Sequence, residues 1–406
     1  MPERPHALVC LPSPTGYLLI DPGDDPVVAA ARDLLWQGKL PDPWPASLEG
    51  VRLALEGDLA GAIACYPGSD LLDRVNRFVL APTPEDLPGL RADVPSALRG
   101  LIDALAFEVG LADSPPPLDG ATADVAALVL AAQASHAVDA GNANQAVGLL
   151  HDAAAHAAPM SPAAEAILLG TAGMVAAAHP VAGVDPALDL QRAVDLLARA
   201  DLTVSRAELH FQLGSVLHER AAAVDLPPQD AIHHYHCTLQ LIDRVTAPEL
   251  WAAVHLNLGT AYLVMPMVQA TDQLRVGIAT QSLRSALEVF TAESHPQQWA
   301  STQINLANAL VYMPSTHRAD NLVEAVGLYE QVVDHRDAAV DPVGRARLLS
   351  NLGNALAHLG VFDDAKARLM EARYLFEVEN DLDGVMTVRS ILDEISRESV
   401  PATVAP

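Results

Sequence analysis

Lysine is almost missing from this sequence of 406 residues, where Lys39 and Lys366 are the only two. With 24 basic residues against 51 acidic ones the formal net charge is −27. A surface of that sign repels phosphate backbones and anionic lipid, so nucleic acid and membranes are excluded as expected partners. The same acidity also serves solubility alone. Cysteine is scarce as well. Cys10, Cys65 and Cys237 form an odd, scattered set without a Cys-x-x-Cys pair, the pattern of reduced thiols in a cytosolic protein. Long apolar runs are missing too. The longest, from Ala166 to Ala178, is interrupted by Gly170, Thr171 and Gly173 and falls short of the roughly 20 residues a membrane helix needs. The start, Met1-Pro2-Glu3-Arg4-Pro5, leads into a short apolar run that breaks at Pro12 and Pro14, unlike a secretory leader. A cytoplasmic location is therefore expected. No Gly-rich phosphate loop, Gly-x-Ser-x-Gly elbow or His-Glu-x-x-His motif occurs, so no catalytic residue and no cofactor is expected.

What the chain does have is a recurring triplet. Asn257-Leu258-Gly259, Asn305-Leu306-Ala307 and Asn351-Leu352-Gly353 each open a run of apolar residues at helical spacing. In the last copy Leu349, Leu352, Gly353 and Leu356 mark one helix, Gly360 the turn, and Phe362, Ala365, Leu369 and Ala372 a second helix. Gly353 and Ala365 fall where two helices must cross closely, and only small side chains allow that approach. Counting backward gives six such hairpins, with weaker copies at Leu128 to Leu150 and Ile167 to Ala200. Repeats of this kind bury their apolar faces on one another, which predicts a mainly α-helical solenoid.

These residues resemble the tetratricopeptide repeat (TPR) family. The departure from its usual spacing is informative, because extra residues carrying Met265-Pro266 and Met313-Pro314 stand between the two helices. Together with Trp251-Ala252 and Trp299-Ala300 ahead of the triplets, they resemble the longer variant found in bacterial signalling and accessory proteins. The resemblance covers about residues 122–380. It implies a protein or peptide as partner, held in the groove of the repeats.

The first 118 residues lie outside it. Ala7 to Leu11 and Tyr17 to Ile20 form a β-hairpin signal, followed by short helices broken at Pro41–Pro45, Pro82–Pro88 and Pro115–Pro117. The expected division is an N-terminal region at 1–118, the repeats at 119–380, a capping helix at 381–397 and a disordered tail at 398–406.

The densest cluster of metal-ligating types is His233, His236 and Cys237, at i, i+3 and i+4 on one helix. Alignment of the repeats assigns Ala231 and Tyr235 to the core, which turns His233 and His236 outward as a solvated face. The repeated amides Asn257, Asn305 and Asn351 are expected to bond the backbone of the neighbouring hairpin and so fix register.

In TPR geometry the first helix of each hairpin lines the groove. The residues just after the triplets are Ser215, Thr260, Asn308 and Asn354, and one turn on come His218 with Glu219, Leu263 with Val264, Val311 with Tyr312, and Ala357 with His358. The strip is polar at His218 and Glu219 and apolar around Leu263, Val264 and Tyr312, and its apolar middle is the expected binding hot spot. The leading function is thus a non-catalytic scaffold. One alternative is an accessory factor for metalloenzyme assembly that uses the His/Cys cluster, and another is an enzyme with its site in residues 1–118.

Overall fold

The computed structural model describes residues 4–11, 15–21, 23–266, 272–313, 316–335 and 340–398. The tail from residue 399, the hairpin turn at Pro12–Pro14 and Pro314 lie outside these. Contacts divide the chain into two units, Met1–Leu217 and His218–Pro406.

The first unit opens with β1 (His6–Ala7) and β2 (Leu19–Ile20), paired antiparallel with His6 opposite Ile20. The β-hairpin is shorter than the apolar runs predict. Leu8 N–H still reaches Leu18 O at 3.1 Å, but Val9 takes a φ of 40°, which turns the chain out of the extended path. The Asn76 side chain stands in for a further strand, accepting from Leu19 N–H at 2.8 Å and donating to Leu19 O at 3.0 Å.

Short helices follow: α1 (Pro26–Trp36), α2 (Glu49–Leu55), α3 (Leu59–Ala64), α4 (Leu71–Leu80), α5 (Leu87–Asp93) and α6 (Ser96–Glu108). The repeats begin with α7 (Ala123–Asp139) and α8 (Ala143–Ala157), then α9 (Pro162–Ala178) and α10 (Pro186–Leu196). One hydrophobic core joins the strands, the short helices and these two hairpins, with Leu8, Leu35, Phe78, Leu101, Val129, Leu150 and Leu190 all buried in it. The core crosses the Pro-rich connector at 113–119. A half-buried ion pair fastens the start of the chain to α7: Arg4 meets the buried Asp124, which also accepts from Ala7 N–H at 2.8 Å.

Next come α11 (Thr203–Ala223) and α12 (Gln229–Leu241), and the division between units falls within α11. The second unit continues with α13 (Pro248–Leu263), α14 (Asp272–Ala286), α15 (Pro296–Tyr312), α16 (Arg318–His335), α17 (Pro342–Leu359), α18 (Phe362–Val378) and the final α19 (Leu382–Glu398). Consecutive helices from α12 to α19 pack on one another. Helix starts follow local chemistry. Pro opens α9, α13, α15 and α17, where its fixed φ suits the first turn and its missing N–H would have no partner. Asp341 caps α17 by accepting from Gly344 N–H at 2.8 Å. Gly360 ends the same helix in a left-handed conformation at φ 83°, at the turn expected there. In the second core, Leu306, Tyr329, Leu352, Leu369 and Phe376 are buried.

No helix among the described residues is long and apolar enough to cross a membrane.

Candidate functional site

In the second unit the C-terminal ends of α13 and α15 and the first turns of α14 frame a cavity of about 220 Å3. The helix α13 stops at Leu263 ahead of Met265-Pro266, and α14 runs from Asp272 to Ala286. Tyr262, Leu263 and Met265 line the cavity on one side, Arg275 and Val276 on another, and Asn308, Ala309 and Tyr312 on the third. Asn308 and Tyr312 are four residues apart on α15 and share a helix face. Three residues expected in the groove, Leu263, Asn308 and Tyr312, therefore meet in one place.

Side-chain amides tie this face together. Asn305 Nδ2 donates to Thr260 Oγ1 at 3.4 Å, Asn351 Nδ2 to Asn308 Oδ1 at 3.3 Å, and Asn354 Nδ2 to the Tyr312 hydroxyl at 3.2 Å. The Tyr329 hydroxyl on α16 donates to Asn308 Oδ1 at 2.6 Å. The three amide bonds run between the first helices of successive hairpins, α13 to α15 to α17. They correct the expectation of bonds from Asn305 and Asn351 to neighbouring backbone: the partners are side chains on the adjacent first helix.

A neighbouring cavity of about 370 Å3 is lined by His218, Leu226, Val264 and Pro266 among others. His218 Nδ1 lies 3.3 Å from the Tyr235 hydroxyl, and burial holds the His218 pKa below its usual value despite the nearby Glu219 carboxylate. Glu219 and His358 are exposed. Val311 departs from the expected strip. It is only 5% exposed and belongs to the second core, since a residue next to Tyr312 on a helix is rotated well away from it. Ser215 lies in the first unit and donates to Phe211 O of its own helix at 3.0 Å.

The crossings within hairpins decide the repeat type. A Cβ on Gly353 would lie 2.6 Å from Leu369 Cγ and 3.2 Å from Ala365 O, and one on Gly259 would lie 2.7 Å from Leu283 Cγ and 3.2 Å from Ala279 O. The same close approach recurs at the same position of two hairpins. This is a TPR-like helical-repeat fold. No family model matches the chain, and no curated protein matches it. Among solved structures it is similar to the apo form of RapI, at 13% identity over 87% of this chain and 96% of that one, with a TM-score of 0.49. It is also similar to a Rap protein complexed with competence and sporulation factor, at 14% identity over 87% and 96%, with a TM-score of 0.39. A third is the TPR domain of P58(IPK), at 15% identity over 86% and 96%, with a TM-score of 0.29.

Within the TPR-like frame the His/Cys cluster divides. His233 and His236 are exposed on α12, as expected. Cys237 Sγ lies 3.6 Å from His233 Nε2, but His236 Nε2 turns to the Tyr262 hydroxyl of α13 at 2.9 Å. Among the described residues no three His, Cys, Asp or Glu side chains converge as ligands for a metal ion. Burial pushes the Cys237 thiol up, which favours the protonated form and weakens it as a ligand and nucleophile. Two of the three residues thus pair locally, and the third serves a helix contact through the hydroxyl of Tyr262, a residue that also lines the cavity.

Sequence reasoning missed Tyr262, Arg275, Val276 and Met265. The signal for Arg275 was available, because a cation beside a long inter-helix turn is rare in a chain with so few basic residues. Its Nη2 donates to Pro266 O at 2.7 Å and so ties Pro266 to α14.

Proposed function

We propose that this chain is a non-catalytic scaffold that holds a protein or peptide segment against the α13, α15 and α17 face of its second unit. The observation that carries the reading is the exposure of two large apolar side chains, Val264 at 59% and Tyr312 at 67%, each lining a cavity on this face. Apolar surface of that size, wet on its own and concave beside it, gains by being covered, at about 25 cal/mol per Å2 removed from water. The amides around it are held by one another, so a bound backbone meets groups already fixed in place and little ordering is required of the scaffold.

The test is capture of partners from native cell extract by the full chain and by the Val264→Asp, Tyr312→Asp double variant. Both positions are exposed, so helical content and melting temperature should stay within a small margin of the parent. A partner held by the parent and lost by the double variant supports the reading. Equal capture by both places binding elsewhere on the chain and overturns it.

A further inference from the structure

The negative charge of this chain is unevenly spread, and it nearly vanishes where the repeats end. Residues 342–398, which form α17, α18 and α19, hold seven basic and ten acidic residues and so contribute −3 to the net −27. Lys366, one of the two lysines, is among them. A second copy of the chain is repelled by the acidic remainder, and least of all here.

The same stretch carries an apolar face. Met370, Tyr374 and Val378 follow one another at every fourth residue of α18 and are exposed by 54%, 65% and 55%, while Ala365, Leu369, Ala372 and Phe376 of the same helix are buried. Among the described residues no other helix shows three large apolar side chains exposed in one such row. Side chains four apart share a helix face, so the row is continuous. Lys366 stands one turn before Met370, and Glu377 and Glu379 flank Val378. Glu377 lies 3.4 Å from Arg373 of its own helix, whereas Lys366 has no ion-pair partner among the described residues.

We propose that this face pairs with the same face of a second copy of the chain, the two α18 helices running antiparallel about a twofold axis. That arrangement sets Met370 of each copy against Tyr374 of the other, and the same register brings Lys366 beside Glu377 and Glu379. A parallel pairing would oppose Lys366 to Lys366 and Glu377 to Glu377. Charge thus selects the direction, and apolar contact supplies the affinity. Size bounds that affinity, since the 17 residues of α18 span about 25 Å, and one helix face of that length buries less than the roughly 800 Å2 per partner of a standard interface. The dimer is therefore a weak one in exchange with monomer. It uses no residue of the proposed binding face, so either reading can fail without the other.

Sedimentation velocity of the full chain over a range of concentrations tests this. The parent should pass from monomer to dimer at micromolar concentration. Met370→Asp with Tyr374→Asp, both at exposed positions, should keep the helical content and melting temperature of the parent and raise the dissociation constant by about tenfold or more. Lys366→Glu and Glu377→Lys should each weaken the dimer by setting like charges against one another, and the two changes in one chain should restore it. A parent that stays monomeric up to millimolar concentration overturns the proposal. Dimerisation that then appears on removal of residues 399–406 would assign the face to the chain's own end, and continued monomer would assign it to a different protein. A dimer that survives the two aspartates lies elsewhere on the chain and overturns the proposal as well. Charge changes that do not rescue each other overturn the antiparallel register.

Discussion

Asn351 on α17 gives a side-chain N–H to Asn308 Oδ1 on α15 at 3.3 Å, and the Tyr329 hydroxyl on α16 shares that oxygen at 2.6 Å. Three helices thus converge on one amide, and the amide also lines the candidate binding cavity. Stability of the repeat and shape of the site depend on the same atom.

Asn308→Ala should therefore destabilise the chain by about 1–3 kcal/mol, because it strands the hydroxyl of Tyr329, a residue only 1% exposed. Asn305→Ala should cost less. Its bond to Thr260 is long, at 3.4 Å, and the Thr260 hydroxyl keeps its own acceptor in Leu256 O at 2.9 Å. Urea melts of the two variants rank them, and equal costs would show that the Tyr329 bond contributes nothing.

How far the fold was legible follows from which signals were periodic. The triplets at Asn257, Asn305 and Asn351, with Gly353 and Ala365 twelve apart, lay down the hairpins and their crossings, and both appear where the spacing put them. A helical strip also brought Leu263, Asn308 and Tyr312 together. It erred at Val311, because adjacent positions on a helix point about 100° apart and one of the pair had to be core. Val276 was illegible, since it reaches the cavity from α14 and no periodicity links that helix to α13 and α15.

Glycine in these helices has two opposite roles, and substitution separates them. At Gly353 a side chain would strike Leu369 and the Ala365 carbonyl, so Gly353→Leu should cost about 1–3 kcal/mol through overpacking. At Gly327, inside α16, a Cβ meets nothing within 4 Å. Gly327→Ala should then stabilise the chain by about 1 kcal/mol through helix propensity alone. Thermal melts read both, and a destabilised Gly327→Ala would mean that an unseen contact occupies that helix face.

The last prediction concerns Asp124, which is fully buried and binds Arg4 and Ala7 N–H at the start of α7. Burial by itself would raise its pKa, but the His6 and Arg4 side chains outweigh burial and hold the carboxyl below its usual value. The folded state thus prefers the carboxylate more than the unfolded chain does. The resulting stabilisation is complete above the unfolded value, about pH 4, and is lost as pH falls through the lower folded value. Arg4→Ala should raise the Asp124 pKa and so bring the acid unfolding of the first unit to higher pH. Asp124→Asn should cost stability at neutral pH and flatten the acid dependence, because no proton is then taken up at this position. Circular dichroism along an acid titration of the three proteins checks both statements. An acid midpoint unmoved by Arg4→Ala would mean that the Arg4 pair contributes nothing to holding the start of the chain on α7.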